Sequence, residues 1–508
     1  MIDGKVLVQK LLVYANAFLG LEPRDMDYMQ NLLLREFNLD SPLKEEIDVS
    51  DVCALNVPDL LVQEIESYAV ENNIVLEQEK NLFSTYILGI LCPRPSIVEK
   101  NFYDLKNKKG TLVACERFHD FCIKNNYVQK TAISKNQKWE YVDGDKYLEI
   151  TINLSKPEKD NKQTAKLLTQ APTKKYPSCM ICKENEGFMG SLTKPARQNL
   201  RTIGVTLDGE KWFWQYSPYA YFDQHLIAIN TKHTPMHVSG DTIRKILDFV
   251  DAFPNYFIGS NASLPIIGGS ILDHEHFQGG AHLMPMQKAK VLKEVACSVK
   301  GVKVGIIDWY LSALRVEGED RKAVESVATK ILECWSDYTD EQVGIYAKTT
   351  ARHNAVSPIA RKVDKTYIID IIIRNNITSS EYPDGVFHAH PEYHNIKKEA
   401  IGLIEAMGLF ILPARLKRQL GEVANMLCGQ SQVSIEQVFD SNNDLYIHRF
   451  MIKELLEKGV VDSIAKADCM VRDKVNDVCK NILYNVSVFK NDEQGKRGFE
   501  KFIKAIGL

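Results

Sequence analysis

The sequence predicts an α+β protein, and three features carry that prediction. Apolar positions recur at helical spacing near both ends of the chain, and short alternating segments with turn dipeptides fill the middle. Two histidine-bearing segments, each preceded by strands and a helix, hint at two related halves. At the start, Val8, Leu11, Leu12, Ala15 and Leu19 share one helical face. Ala15-Asn16-Ala17 has the small-residue form of a signal-peptidase site, but Gln9-Lys10 breaks the apolar run before it, so an amphipathic helix is the reading. Leu61, Ile65, Tyr68 and Ala69 repeat the pattern after Pro58-Asp59, and a further helix must stop near Pro93 and Pro95. A hairpin is expected from 139–142 through Asp143-Gly144 to 147–154, then an exposed Lys-rich connector over 156–175.

From Pro177 the texture changes to strands: 201–207 and 212–222 about Asp208-Gly209, then 225–231, 256–259 and 274–286, with a helix at 242–253. Beyond Met286 come a helix at 324–335, strands at 344–349, 367–374 and 386–390, and a helix at 396–407. After Pro413 the pattern is helical to the end. The expected segments are a mainly helical region with a hairpin (1–170), two strand-rich halves (171–300 and 301–415) and a helical tail (416–508).

Composition narrows the function. The 508 residues are 45% hydrophobic and 25% charged, as in ordinary globular chains. Lys+Arg 63 against Asp+Glu 66 gives a net charge of −3, which argues against a general binder of nucleic acid or membrane surface. Eleven cysteines, nine of them scattered singly, read as reduced thiols of a cytoplasmic protein. No apolar run approaches the roughly 18 residues of a membrane span.

The chemistry concentrates in Gly268-Gly269-Ser270-Ile271-Leu272-Asp273-His274-Glu275-His276-Phe277-Gln278-Gly279-Gly280. On a strand, His274, His276 and Gln278 would share a face. Gly268, Gly269 and Ser270 could bring backbone N–H groups to phosphate oxygens. Two imidazoles and an amide beside such a loop suit phosphoryl chemistry: one imidazole attacks phosphorus, its neighbour orients the site, and the amide donates to the transferring group. The bland alternative is a His-rich strand filling a polar core. A second signal is Cys179-x-x-Cys182, the usual first half of a tetrahedral zinc site, with free buried thiols as the alternative.

The His-x-His-x-Gln segment resembles the active site of galactose-1-phosphate uridylyltransferases, a branch of the histidine-triad superfamily. The stretch from Cys179 to Met286 is similar to their second, bacterial class. Its landmarks are Cys-Met-Ile-Cys-Lys-Glu-Asn-Glu-Gly from Cys179, Pro195-Ala196-Arg197-Gln198-Asn199, Gln215-Tyr216-Ser217-Pro218-Tyr219 and Gly259-Ser260-Asn261-Ala262. The match covers about residues 175 to 415.

The resemblance implies two histidine-triad-like halves with antiparallel sheets. It also implies a two-step exchange without an organic cofactor. His276 would take UMP from UDP-glucose as a covalent uridylyl-imidazole, and galactose 1-phosphate would then accept it. Gln278 stands where hydrolases of the superfamily keep a third histidine. Asn261, Gly268, Gly269 and Ser270 would line the substrate, and Lys398 and Glu405 lie in a segment resembling the family's sugar-contacting helix. Structural zinc would be held by Cys179, Cys182, His233 and His274. His353, His388 and His390 resemble the histidines of a second metal in the first class, whose glutamate should follow the His276 strand closely. The first acid past Gln278 is Glu294, so a polar core is the better reading there. His119, His237, His282, His394 and His448 have no nameable partners. The resemblance further implies a homodimer. A dinucleotide polyphosphate phosphorylase or a nucleotide hydrolase of the same superfamily, and a non-catalytic zinc-binding interaction module, stay open as rivals.

Overall fold

The structure is a computed structural model that describes residues 2–45, 47–155, 176–269 and 271–508. The connector expected over 156–175 and the predicted site residue Ser270 lie outside the described residues. The chain forms two compact units: Met1–Lys135 with Lys159–Thr234, and Asn136–Glu158 with Pro235–Leu508. Both mix helices with antiparallel strands, and the fold is α+β as the sequence predicts.

In the first unit, helix Gly4–Tyr14 opens on Asp3, whose carboxylate accepts from the Lys5 and Val6 amides. It buries Leu7, Val8, Leu11 and Leu12, and Ala15 and Leu19 of the wider turn that follows it are buried too. This is the expected amphipathic face. Helix Asp59–Glu71 buries the four residues named from its periodicity. Helix Lys80–Leu91 stops before Pro93, and Pro95 opens the next helix, Pro95–Lys109, where its missing N–H costs nothing. Strands Ile203–Leu207 and Glu210–Tyr216 pair about Asp208 and Gly209, both at positive φ, as a two-residue hairpin turn demands. Strand Leu226–Asn230 pairs with the second. Trp212, Phe213 and Trp214 are all buried in succession. Phe102 and Phe118, from Pro95–Lys109 and the next helix Thr111–Lys124, meet the Trp214 ring edge-on at 5.7 and 5.4 Å.

In the second unit, an antiparallel sheet runs in the order His276–Gly280, Phe257–Gly259, Asn354–Val363, Thr366–Asn375, Ala313–Gly318, Val302–Ile307, Val291–Val295. Helix Gly240–Ala252 packs Ile243, Ile246, Leu247 and Val250 inward, and helix Arg321–Asp337 buries Val324, Ile331 and Trp335. The C-terminal helices are part of this unit: Phe502 of Glu493–Ile506 meets the Trp335 ring at 5.1 Å. The hairpin Gln137–Asp143/Lys146–Ile152 turns on Gly144-Asp145, one residue later than expected, and strand Leu409–Leu412 adds to it in parallel.

Several local expectations fail. The strand expected over 274–286 is only His276–Gly280, followed by a helical turn at Pro285–Lys288. Segment 344–349 makes isolated bridges rather than a strand. Segment 386–390 is a turn, not a strand, held by the Val386 amide donating to the Ile377 carbonyl. The helix expected over 396–407 is reduced to Leu403–Ala406. Two helical positions are diverted there: the Ile401 carbonyl accepts from Arg374 and the Leu403 amide donates to Asn261.

Candidate active site

The His276 strand sits where a glycine permits close packing. A Cβ on Gly279 would lie 2.1 Å from the Phe257 carbonyl oxygen of the neighbouring strand, so only glycine fits that pairing. His276 and Gln278 share one face by strand alternation. His274 does not belong to the strand; it is buried in the bend before it. Its backbone instead matters to His276. The His276 Nδ1–H donates to the His274 carbonyl at 2.8 Å, because a carbonyl can only accept. That contact fixes the tautomer and leaves the Nε2 lone pair for an electrophile. Burial, more than any neighbouring charge, pushes the His276 imidazole below its ordinary value, so the ring is neutral at pH 7. Between the two histidines, Glu275 makes a buried ion pair with Lys245 of helix Gly240–Ala252 at 2.9 Å, an anchor that sequence reading missed.

Asn261 organises the adjoining loop. Its Oδ1 accepts from the Leu403 amide at 2.8 Å, and a Cβ on Gly269 would meet its Nδ2 at 2.9 Å. A Cβ on Gly268 would strike the carbonyl oxygens of Ala262 and Leu264 at 2.6 and 2.8 Å. Gly268 is therefore required by packing against the loop backbone, while Gly269 lies against the Asn261 side chain. Glu405 comes to the same place: a Cβ on Gly402 would lie 3.2 Å from Asn261 Oδ1 and 3.4 Å from Glu405 Oε2. Glu405 Oε1 accepts from the Lys397 ammonium at 2.9 Å, and that ammonium also donates to the Ile411 carbonyl. Lys397 is buried whereas the predicted Lys398 is exposed. Residues 396–402 are not helical, so the two lysines do not sit on the helix that the resemblance implied.

In the first unit Cys179 Sγ lies 3.2 Å from Cys182 Sγ, too far for a disulfide, and Cys182 Sγ lies 3.1 Å from His233 Nδ1. Asn185 braces the loop by donating to the carbonyls of both cysteines at 2.9 Å. Burial and the neighbouring Cys179 thiol push the Cys182 thiol up. Two thiols and an imidazole converging in this way form a cluster that can hold a metal ion, and the donor set suits zinc.

The three remaining predicted histidines have separate partners. His353 contacts Thr349 Oγ1 at 2.6 Å and Asn376 Oδ1 at 2.9 Å. His388 donates to the Ala389 carbonyl, and His390 donates to the Val386 carbonyl while stacking on Tyr382 at 4.0 Å. Burial and the nearby Arg374 charge pull His388 down to about 4. Histidines left without partners by the sequence acquire them: His394 donates to the Ala389 carbonyl at 3.0 Å. His282 pairs with Glu149 at 2.8 Å, and the buried His448 contacts Gln419 Oε1 and the Asn395 amide.

Comparison with known proteins decides the family. Residues 22–235 match the model of "Galactose-1-phosphate uridyl transferase, N-terminal domain", and residues 249–442 match that of its C-terminal domain. The chain belongs to the galactose-1-phosphate uridylyltransferase family. It is 39% identical to the galactose-1-phosphate uridylyltransferase of Caldanaerobacter subterraneus over 100% of this chain and 98% of that one. The Clostridium acetobutylicum enzyme of the same name is 40% identical over 98% and 99%. Among solved structures, yeast Ap4A phosphorylase Apa2 overlaps 65% of this chain and 92% of its own at a TM-score of 0.29 and 10% identity.

Proposed function

We propose that His276 carries the covalent step of UMP exchange between UDP-glucose and galactose 1-phosphate. The chain is a nucleotidyltransferase of galactose metabolism, converting UDP-glucose and galactose 1-phosphate into glucose 1-phosphate and UDP-galactose. The observation that carries the residue assignment is the His276 Nδ1–H bond to the His274 carbonyl. Nε2 attacks the α-phosphorus, forming a P–N bond as the bond to the sugar-phosphate oxygen breaks. The carbonyl steadies the positive charge that develops on the ring. Glucose 1-phosphate leaves without a proton, since a phosphate monoester has a second pKa of about 6. A phosphate oxygen of galactose 1-phosphate then attacks the uridylyl-imidazole, and the P–N bond breaks with its electron pair returning to Nε2. Gln278, on the same face, donates to a non-bridging oxygen and supplies no acid near pH 7. On this reading Asn261, Gly268 and Gly269 line the phosphates, and Glu405 the sugar.

Zinc would be held by Cys179, Cys182 and His233, and it would supply a structural brace for the loop that carries the two thiols. His353, His388 and His390 act as structural polar residues. We further propose that the protein works in the cytoplasm as a homodimer, away from nucleic acid and membrane. All eleven cysteines are free, and no described helix is long and apolar enough to cross a membrane.

One imidazole loaded and then unloaded requires ping-pong kinetics. Initial rates against UDP-glucose at several fixed galactose 1-phosphate concentrations should give parallel reciprocal plots. Intersecting lines would mean direct transfer in a ternary complex, as a role for His276 in orientation alone would require.

A further inference from the structure

Arg374, near the end of strand Thr366–Asn375, is fully buried. Its Nη2 donates to the Ile401 carbonyl at 2.9 Å, while Nε and Nη1 find no acceptor among the described residues. Other buried arginines of the chain are satisfied differently. Arg201 donates to the carbonyls of Pro93, Gln198, Leu200, Gly89 and Cys92. Arg315 and Arg361 share the Asp370 carboxylate and add carbonyl acceptors. An arginine serving structure alone would be expected to engage its fork in one of these ways.

The charge around Arg374 points the same way. Glu405 is the acidic group that acts on it, and that carboxylate already accepts from Lys397. His388, the other titratable group close by, is held neutral by burial and by Arg374 itself. Two buried cations thus face one carboxylate, an excess of one positive charge in a low-dielectric setting that favours an anion. The position is specific. Ile401, which takes Nη2, is followed by Gly402, which abuts Asn261 and Glu405. Lys398, Glu399 and Ala400, just before Ile401 in the chain, are exposed.

We propose that Arg374 uses its unengaged N–H donors, on Nε, on Nη1 and the second hydrogen of Nη2, to bind the sugar-linked phosphate, which is the β-phosphate of UDP-glucose and the phosphate of the incoming hexose 1-phosphate. This rests on the uridylyl-transfer reading above. Arg374 is thereby a specificity residue: it distinguishes a phosphorylated sugar from a free one, and a planar fork suits two phosphate oxygens as a single ammonium does not.

The test compares wild-type, Arg374→Gln and Arg374→Lys full-length proteins, using galactose 1-phosphate, galactose and UMP as probes in equilibrium titrations and UDP-glucose in loading assays. Expected for Arg374→Gln are a fall of at least about thirtyfold in galactose 1-phosphate affinity and unchanged UMP affinity. KM for galactose 1-phosphate should rise far more than kcat falls, with Arg374→Lys restoring part of the loss. Equal loss of UMP and galactose 1-phosphate binding would assign Arg374 to scaffolding and overturn the proposal. So would wild-type galactose 1-phosphate affinity in either variant. If Arg374→Gln does not fold, the lysine variant decides: wild-type KM in it rejects the fork. Failure of the underlying reading is separately visible, because wild-type protein would then form no covalent UMP adduct at all.

Discussion

The second unit contains two His-x-His segments, and they are built for different ends. His274-Glu275-His276 leads into a strand, and its second imidazole has one nitrogen fixed by a carbonyl and the other available to an electrophile. His388-Ala389-His390 lies in a turn, where both rings donate to backbone carbonyls and His390 is stacked on Tyr382. On the proposed reading, the same three-residue pattern makes a reactive group in one place and a set of internal props in the other. What separates them is backbone: Gly279 lets a strand form against Phe257, whereas the Val386 amide is drawn to Ile377 and no ladder forms.

Substitution should separate the two segments most sharply. His276→Asn should fold and lose exchange by on the order of 10⁴-fold or more, since removing a covalent nucleophile removes the main route. His388→Asn should cost stability and leave turnover within a few-fold. Comparable losses in both variants, measured as kcat/KM on folded protein, would erase the distinction.

Gln278 sharpens it on the reactive side. Gln278→Ala should slow both half-reactions by roughly ten- to a thousandfold, the range for loss of one transition-state donor. Gln278→His places a proton carrier at the phosphate and should raise release of free UMP from UDP-glucose in the absence of acceptor. Normal transfer with no added leakage in that variant would remove Gln278 from the distinction between transferase and hydrolase.

The reach of sequence reading follows the same division. Periodicity named the buried faces of Asp59–Glu71 and Gly240–Ala252 residue by residue, because those faces are set by local spacing. The shared face of His276 and Gln278 was also legible, because strand alternation is local. Lys397 and the Lys245–Glu275 pair were not. Each depends on partners brought together by tertiary structure. The neutral role of His388 was hidden for the same reason: Arg374 approaches it only in the folded chain.

Metal content gives a smaller, structural effect. Wild-type protein should carry about one zinc per chain by elemental analysis. Cys179→Ser should lose it together with about 5 °C or more of Tm. Fully active, metal-free wild-type protein would remove zinc from the account.

Acid stability should expose the structural histidines. His388 and His448 are both held down to about 4 by burial, aided by the charges of Arg374 and Arg415 respectively. With an unfolded value near 6.5, the unfolded chain takes up their protons first as pH falls. Stability should therefore be intact above about pH 6.5 and decline toward pH 4, by up to about 3 kcal/mol for each residue. His448→Gln should flatten that decline in denaturant midpoints measured from pH 7 to 4.5, and an unchanged slope would contradict the assignment.

The central claim is that one imidazole of the two His-x-His segments becomes covalently loaded. The direct measurement is incubation with UDP-glucose labelled in the uridine, without acceptor, followed by intact mass and peptide mapping. One UMP should be added per active site, on His276, discharged by galactose 1-phosphate and absent in His276→Asn. An adduct on His388 or His390, or label that survives His276→Asn, would contradict it.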